Sequence, residues 1–221
     1  SRGLVDVYKR QTYFETILWR CEMSYTVITR ARVARDYRET AIGAMEQFKE
    51  VQLANGATGV RQGMMMTGSH VNSFISIQFF EDMAGVENAY EALRKAPITK
   101  QTMESGKFEI YGRGILKTQV HFGTGGLAEA KFIVLTNGKS ENTIEEEVTE
   151  LGNIFIQNGG LGGRLDKFVM GDQADGKTYL FGMSYPSLSA VQSAYDAIPE
   201  DVATKTYQLV SVQRRQIIRL F

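Results

Sequence analysis

Two arginines occupy matched places in this chain. Arg61 closes the stretch Asn55-Gly56-Ala57-Thr58-Gly59-Val60-Arg61, and Arg164 closes Asn158-Gly159-Gly160-Leu161-Gly162-Gly163-Arg164 in the second half. A guanidinium can grip a carboxylate through two parallel N–H bonds, so the matched pair is a candidate ligand clamp. The commoner alternative is a strand-edge arginine paired with a nearby acid.

Other candidates are less symmetric. Tyr111 shares a strand face with Glu109 and Arg113, a cluster that could orient a ligand or be an ordinary charged edge. Gln213 takes the place of Tyr111 in the second half, and duplicated enzymes often keep one site and lose the other. Gln78, on the strand face with Phe74, Ser76 and Phe80, is a further ligand-facing candidate. Met65, in the run Met64-Met65-Met66, is soft enough to line a pocket for an apolar molecule, although strand core is the usual role. Tyr90 and Tyr195 match between the halves and read as buried rings with hydroxyls at a rim.

Several chemistries are disfavoured. The two histidines, His70 and His121, fall in a turn and beside a linker. Neither has a second His, Cys or acid at metal-ligand spacing, so no metal is expected. The glycine-rich run 159–163 follows a helix and precedes a strand, the reverse of a phosphate-cradling loop. There is no serine nucleophile elbow. No cofactor is expected. Lys+Arg and Asp+Glu both number 25, which removes the basic excess of a nucleic-acid surface. No apolar run approaches the roughly 20 residues that cross a bilayer. With one cysteine, Cys21, an internal disulfide is impossible and a reducing, cytoplasmic setting is the natural reading. The expected partners are a small molecule and a second copy of the chain, not nucleic acid or membrane.

The positioning elements follow from periodicity. Tyr25–Thr29 reads as a strand. Ile42, Met45, Phe48 and Val51 return at helical spacing between Asp36 and Leu53, and Asn55-Gly56 ends that helix. Strands over 60–67 and 74–80 follow, then a helix over 83–94 stopped by Pro97, a helical turn over 98–105, and a strand over 108–119 bulged near Gly112 and Gly114. The order β-α-β-β-α-β then restarts. Asn158-Gly159 repeats the first helix end, Val191, Ala194, Tyr195 and Ile198 repeat the second stripe, and Pro199 repeats the break. This divides the chain into a first repeat over 23–121, a linker over 122–130 and a second repeat over 131–221. Residues 1–22 match neither repeat. Val5-Asp6-Val7-Tyr8-Lys9-Arg10-Gln11 resembles translated adapter sequence, so the natural start is expected at Met23.

The expected fold is therefore α+β: two tandem ferredoxin-like (βαββαβ) repeats whose antiparallel sheets pack into one intramolecular α+β barrel. Each sheet needs cover on the face away from its helices, and Phe74, Phe80, Phe181 and Met183 are assigned to those mutually buried faces. From Tyr25 to the end, in element order and patterning, the chain resembles the dimeric α+β barrel superfamily. That group includes antibiotic-biosynthesis monooxygenases, NIPSNAP-type proteins and stress-responsive barrel domains. The reading that asks least of the sequence is a barrel that binds a small apolar or aromatic molecule inside it or at its mouth. The resemblance implies the alternative, a cofactor-independent monooxygenase or isomerase. The quinone-forming members use an Asn, a Trp and a His, and this chain has no Trp after Met23. Loop-placed histidines also count against haem chemistry, which usually needs an axial His.

Overall fold

A computed structural model describes residues 24–123 and 127–221. The adapter-like segment 1–22, the expected start Met23 and the linker residues 124–126 lie outside the described residues. The β-branched and aromatic runs form strands, and the stripes form helices, in the order β1 (Tyr25–Val33), α1 (Arg38–Leu53), β2 (Ala57–Met65), β3 (Phe74–Phe80), α2 (Met83–Lys95), α3 (Pro97–Glu104) and β4 (Phe108–Phe122). The second half continues with β5 (Phe132–Lys139), α4 (Glu145–Gln157), β6 (Gly162–Met170), β7 (Thr178–Tyr185), α5 (Leu188–Asp196), α6 (Glu200–Leu209) and β8 (Ser211–Leu220). The helical turn expected after Pro97 is a full helix, and α6 is its counterpart. The second strand begins at Ala57, not Val60, because Ala57 already pairs with Phe80 of β3.

The strands close into one antiparallel barrel in the order β1-β3-β2-β8-β5-β7-β6-β4. Two seams join the halves. The β4–β6 seam runs through seven residue pairs, from Ile115↔Met170 to Phe122↔Gly163. The β2–β8 seam has three, Gly63↔Leu220, Met64↔Arg219 and Met65↔Ile218. A Cβ on Gly63 would lie 2.4 Å from the Arg219 carbonyl oxygen, so only glycine lets the two backbones approach here.

Inside the barrel, Ile28, Ile75, Ile77 and Leu116 of the first half pack against Ile133, Leu135, Phe168, Leu180 and Ile218 of the second. This corrects the face assignment made from sequence. Phe80 packs with Val86 and Ala89 of α2, and Phe74 with Ala41 and Met45 of α1. Phe181 and Met183 pack with Val148, Phe155 and Ala194. Both faces of β3 and β7 are apolar, so alternation alone does not say which one meets the helices.

The matched Asn-Gly pairs prove to be helix ends. The Asn55 amide donates to the Val51 carbonyl at 2.7 Å, and Asn158 to Ile154 at 2.8 Å. Gly56 and Gly159 follow at φ 112° and 103°, where a side chain is strained. Helices α2 and α5 start on side-chain caps, Asp82 accepting from the Gly85 N–H and Ser187 from that of Ala190. Asp82→Ala is expected to cost about 1 kcal/mol, read as a lower urea midpoint at unchanged slope. No described helix is long and apolar enough to cross a membrane.

Candidate functional site

Each half carries a cavity in the same place, between the outer face of its sheet and its helices. In the first half the sheet supplies Thr29 and Ala31 of β1, Gln62 of β2, Ser76 and Gln78 of β3, and Ile110 and Arg113 of β4. The roof is Met45, Phe48 and Gln52 of α1, Tyr90 and Leu93 of α2, and Thr99 and Met103 of α3. The cavity volume is about 430 Å³.

Its polar groups are ordered by one another. The Tyr90 hydroxyl donates to Gln78 Oε1 at 3.0 Å, and the Gln78 amide donates in turn to Ser76 Oγ. Arg113 Nε donates to Thr29 Oγ1 at 3.0 Å while its guanidinium lies 4.5 Å from the centre of the Tyr90 ring. Burial pushes the Tyr90 phenol above its usual range, against the pull of Arg113 and Thr29, so it stays a neutral donor. Gln62 is engaged with the Met45 carbonyl at 2.7 Å. Thr99 Oγ1 is buried without a partner and remains for a ligand, and the Gln52 side chain, on a residue 2 % exposed, lines the same cavity.

The second half repeats the frame and fills the space. Arg215 Nε donates to Thr136 Oγ1 at 3.2 Å, and its guanidinium covers the Tyr195 ring at 4.8 Å. Thr29 pairs with Ser76 across the ladder, and Thr136 with Phe181. Gln62 pairs with Ser76, and Leu165 with Phe181. On that register Ser76, Gln62 and Gln78 correspond to Phe181, Leu165 and Met183, and Gln52 and Phe155 each stand three residues before the matched helix-end asparagines. Four positions that are polar in the first half are apolar in the second, where the cavity volume is about 70 Å³.

Of the residues singled out from sequence, Gln78 lines the first cavity. Met65 lies in the barrel interior, fully buried. Arg164 points inward near one barrel end, 2.9 Å from Asp166. Arg61 faces inward towards the same end, beside Ile77, and forms no ion pair among the described residues. The Tyr111 cluster is divided. The register of β1 against β4 shifts between Arg30 and Ala31, so Ile110 and Arg113, three apart, both face the cavity. Tyr111 turns the other way, stacked 5.1 Å from His70. Glu109 binds Arg32 at 3.4 Å. His121 is exposed on β4. Gln52 and Thr99 escaped the sequence reading. The signal for Gln52 was its place on the buried arc of α1 with Met45 and Phe48; Thr99 had none before α3 was recognised as a full helix.

No histidine lines either cavity, so neither offers an imidazole to a haem iron. Among the described residues no group of three or more His, Cys, Asp or Glu could hold a metal ion.

A sequence family described as a domain of unknown function (DUF6854) matches residues 23–118, the first half of the chain. No curated protein sequence matches. Solved structures do. A candidate monooxygenase from Fusobacterium nucleatum superposes with a TM-score of 0.65 at 14% identity, over 90% of this chain and 92% of that one. An anthrone oxidase-like protein gives 0.55 at 11%, over 90% and 91%. A variant of chlorite dismutase from Candidatus Nitrospira defluvii gives 0.56 at 10%, over 95% of both. The fold is the ferredoxin-like α+β barrel of the monooxygenase and chlorite dismutase type.

Proposed function

We propose that the protein binds one small, neutral, largely aromatic molecule in the first-half cavity. In this reading the chain is a fused tandem duplication of a ferredoxin-like unit that kept one site and closed the other. The contrast between the two matched cavities carries it. A volume of about 430 Å³ lies within the roughly 300–1,000 Å³ of small-molecule sites, and 70 Å³ does not. The apolar walls Phe48, Leu93, Met103 and Ile110 suit an aromatic body. The amide of Gln52 and the hydroxyls of Thr99 and Tyr90 suit carbonyl or hydroxyl groups on it. No carboxylate lines the cavity, the Arg113 cation lies over the Tyr90 ring and the second lining cation, Arg94, is held by Glu91 at 2.8 Å, so a neutral ligand fits better than a charged one.

A second reading is cofactor-independent oxygenation or isomerisation of the same molecule. The names of the monooxygenase and anthrone oxidase-like neighbours support it at the level of fold only.

Native mass spectrometry of protein purified from a lysate tests binding by a retained small molecule. Calorimetric titration with tricyclic aromatic ketones, anthrone first, tests it directly. One ligand per chain is expected. An empty protein that binds no member of the panel overturns the reading. Oxygen uptake with the bound compound separates catalysis from storage.

A further inference from the structure

The opposite side of the sheet carries a second polar site, at the barrel end where the β2–β3 and β6–β7 turns lie. Arg30 faces inward there, paired across the ladder with Ile75 of β3 and Gly112 of β4. A Cβ built on Gly112 would touch nothing within 4 Å, so the space beside Arg30 is open. The second half contributes Arg214 of β8, opposite Asn137 of β5. Tyr111 completes the rim, its ring stacked on His70 at 5.1 Å and covered by the Arg32 guanidinium at 4.7 Å.

These groups lack counterparts. Arg30 Nε and the Tyr111 hydroxyl are both buried with no hydrogen-bond partner. Glu109 is engaged with Arg32 and Asp175 with Lys139 at 2.7 Å, and the remaining acid of the β6–β7 turn, Asp172, is exposed to solvent. The amides of Asn137 and Gln173 bond each other at 3.1 Å. Neither Arg30 nor Arg214 forms an ion pair among the described residues. Burial and the neighbouring Arg214 push the Arg30 guanidinium below its ordinary range. Burial, then Arg214, Arg30 and Arg32, push His70 down as well. Two buried donors without partners, on a face that also carries Arg214, suit an anion.

We propose that this barrel end binds a small oxyanion, held between Arg30 of the first half and Arg214 of the second with the Tyr111 hydroxyl as a third donor. Guanidinium forks match both carboxylates and tetrahedral sulfate- or phosphate-type groups. The site is separate from the helix-side cavity and needs both halves.

The chain's two histidines provide the test. His70 sits in the site, and His121 lies towards the far end of β4 and serves as the internal reference. Both imidazoles are titrated by NMR in the full chain at fixed ionic strength, with increasing sulfate and, separately, acetate. Sulfate keeps its charge across the pH range. The bound anion is expected to raise the His70 pKa by about one unit, saturably, with His121 unmoved. A response to sulfate alone identifies a tetrahedral dianion as the ligand type, and one to acetate alone a carboxylate. Arg30→Gln and Arg214→Gln should each weaken the midpoint at least about tenfold, the scale of one lost charge-assisted contact. Tyr111→Phe, which keeps the stack, should weaken it less. Equal, unsaturating shifts at both histidines mean simple screening and overturn the proposal, whether or not the variants fold. So does a saturable shift that survives Arg30→Gln.

Discussion

Asp166→Ala is expected to destabilise the protein by about 3–5 kcal/mol, the range for stranding one member of a buried ion pair. Asp166 has 3% of its side chain exposed and Arg164 14%. The carboxylate accepts from Arg164 Nε at 2.9 Å and from the Thr26 hydroxyl at 3.1 Å. The other arm of Arg164 reaches Ser24 at 3.1 Å and Thr118, and its plane lies 4.8 Å from the centre of the Phe79 ring. The alanine variant leaves a cation facing hydroxyls and an aromatic ring, with no negative charge near it. Because Thr26 is on β1, Thr118 on β4 and the pair on β6, the damage falls on the longer seam. Replacing both members, Arg164→Met with Asp166→Leu, should recover most of the loss, since two matched apolar groups need no compensation. Arg61→Gln, at the matched position without an acid, should stay within about 0.5 kcal/mol. Urea denaturation compares the four proteins. Equal costs for Asp166→Ala and Arg61→Gln would show that the pair has no special weight.

The second large effect concerns the cavity. Ser76→Phe installs the residue that the other half carries at the same ladder position, and should reduce anthrone-type binding below detection while leaving the urea midpoint little changed. Tolerance is expected because the ring enters empty volume and not packed core. Gln78→Met, also copied from the second half, removes the acceptor of the Tyr90 hydroxyl. It should weaken binding by about 10- to 100-fold, corresponding to about 1–3 kcal/mol for a disordered buried donor. Calorimetry reads both. Unaltered affinity in Ser76→Phe would place the ligand elsewhere.

Element order was legible because it rests on local signals: helical stripes, Asn-Gly ends and Pro97 and Pro199 as breaks. The β4 bulge was legible too, from Gly112 and Gly114. Sidedness was not. Phe74 and Ile75 are equally apolar, and only the packed structure shows which meets α1 and which meets the other half. The bulge also broke the alternation used to group Tyr111 with Arg113. The cavity depends on separations invisible in the chain, such as Gln52 on α1 and Thr99 on α3 facing β3. Its polarity is informative only against the second half, and that comparison required ladder register, which the uneven spacing of the two halves had obscured.

The short β2–β8 seam has a consequence for the protein under stress. It is the weaker of the two closures, three pairs against seven. A barrel that opens there becomes a twisted eight-stranded open sheet with β2 bare along one border and β8 along the other. Those borders fit each other, and fit equally well the borders of a neighbouring molecule in the same condition. Adding β2 of one chain to β8 of the next leaves a free border at each end, so growth need not stop at two. Mild heating at high concentration therefore favours head-to-tail polymers over a discrete swapped pair.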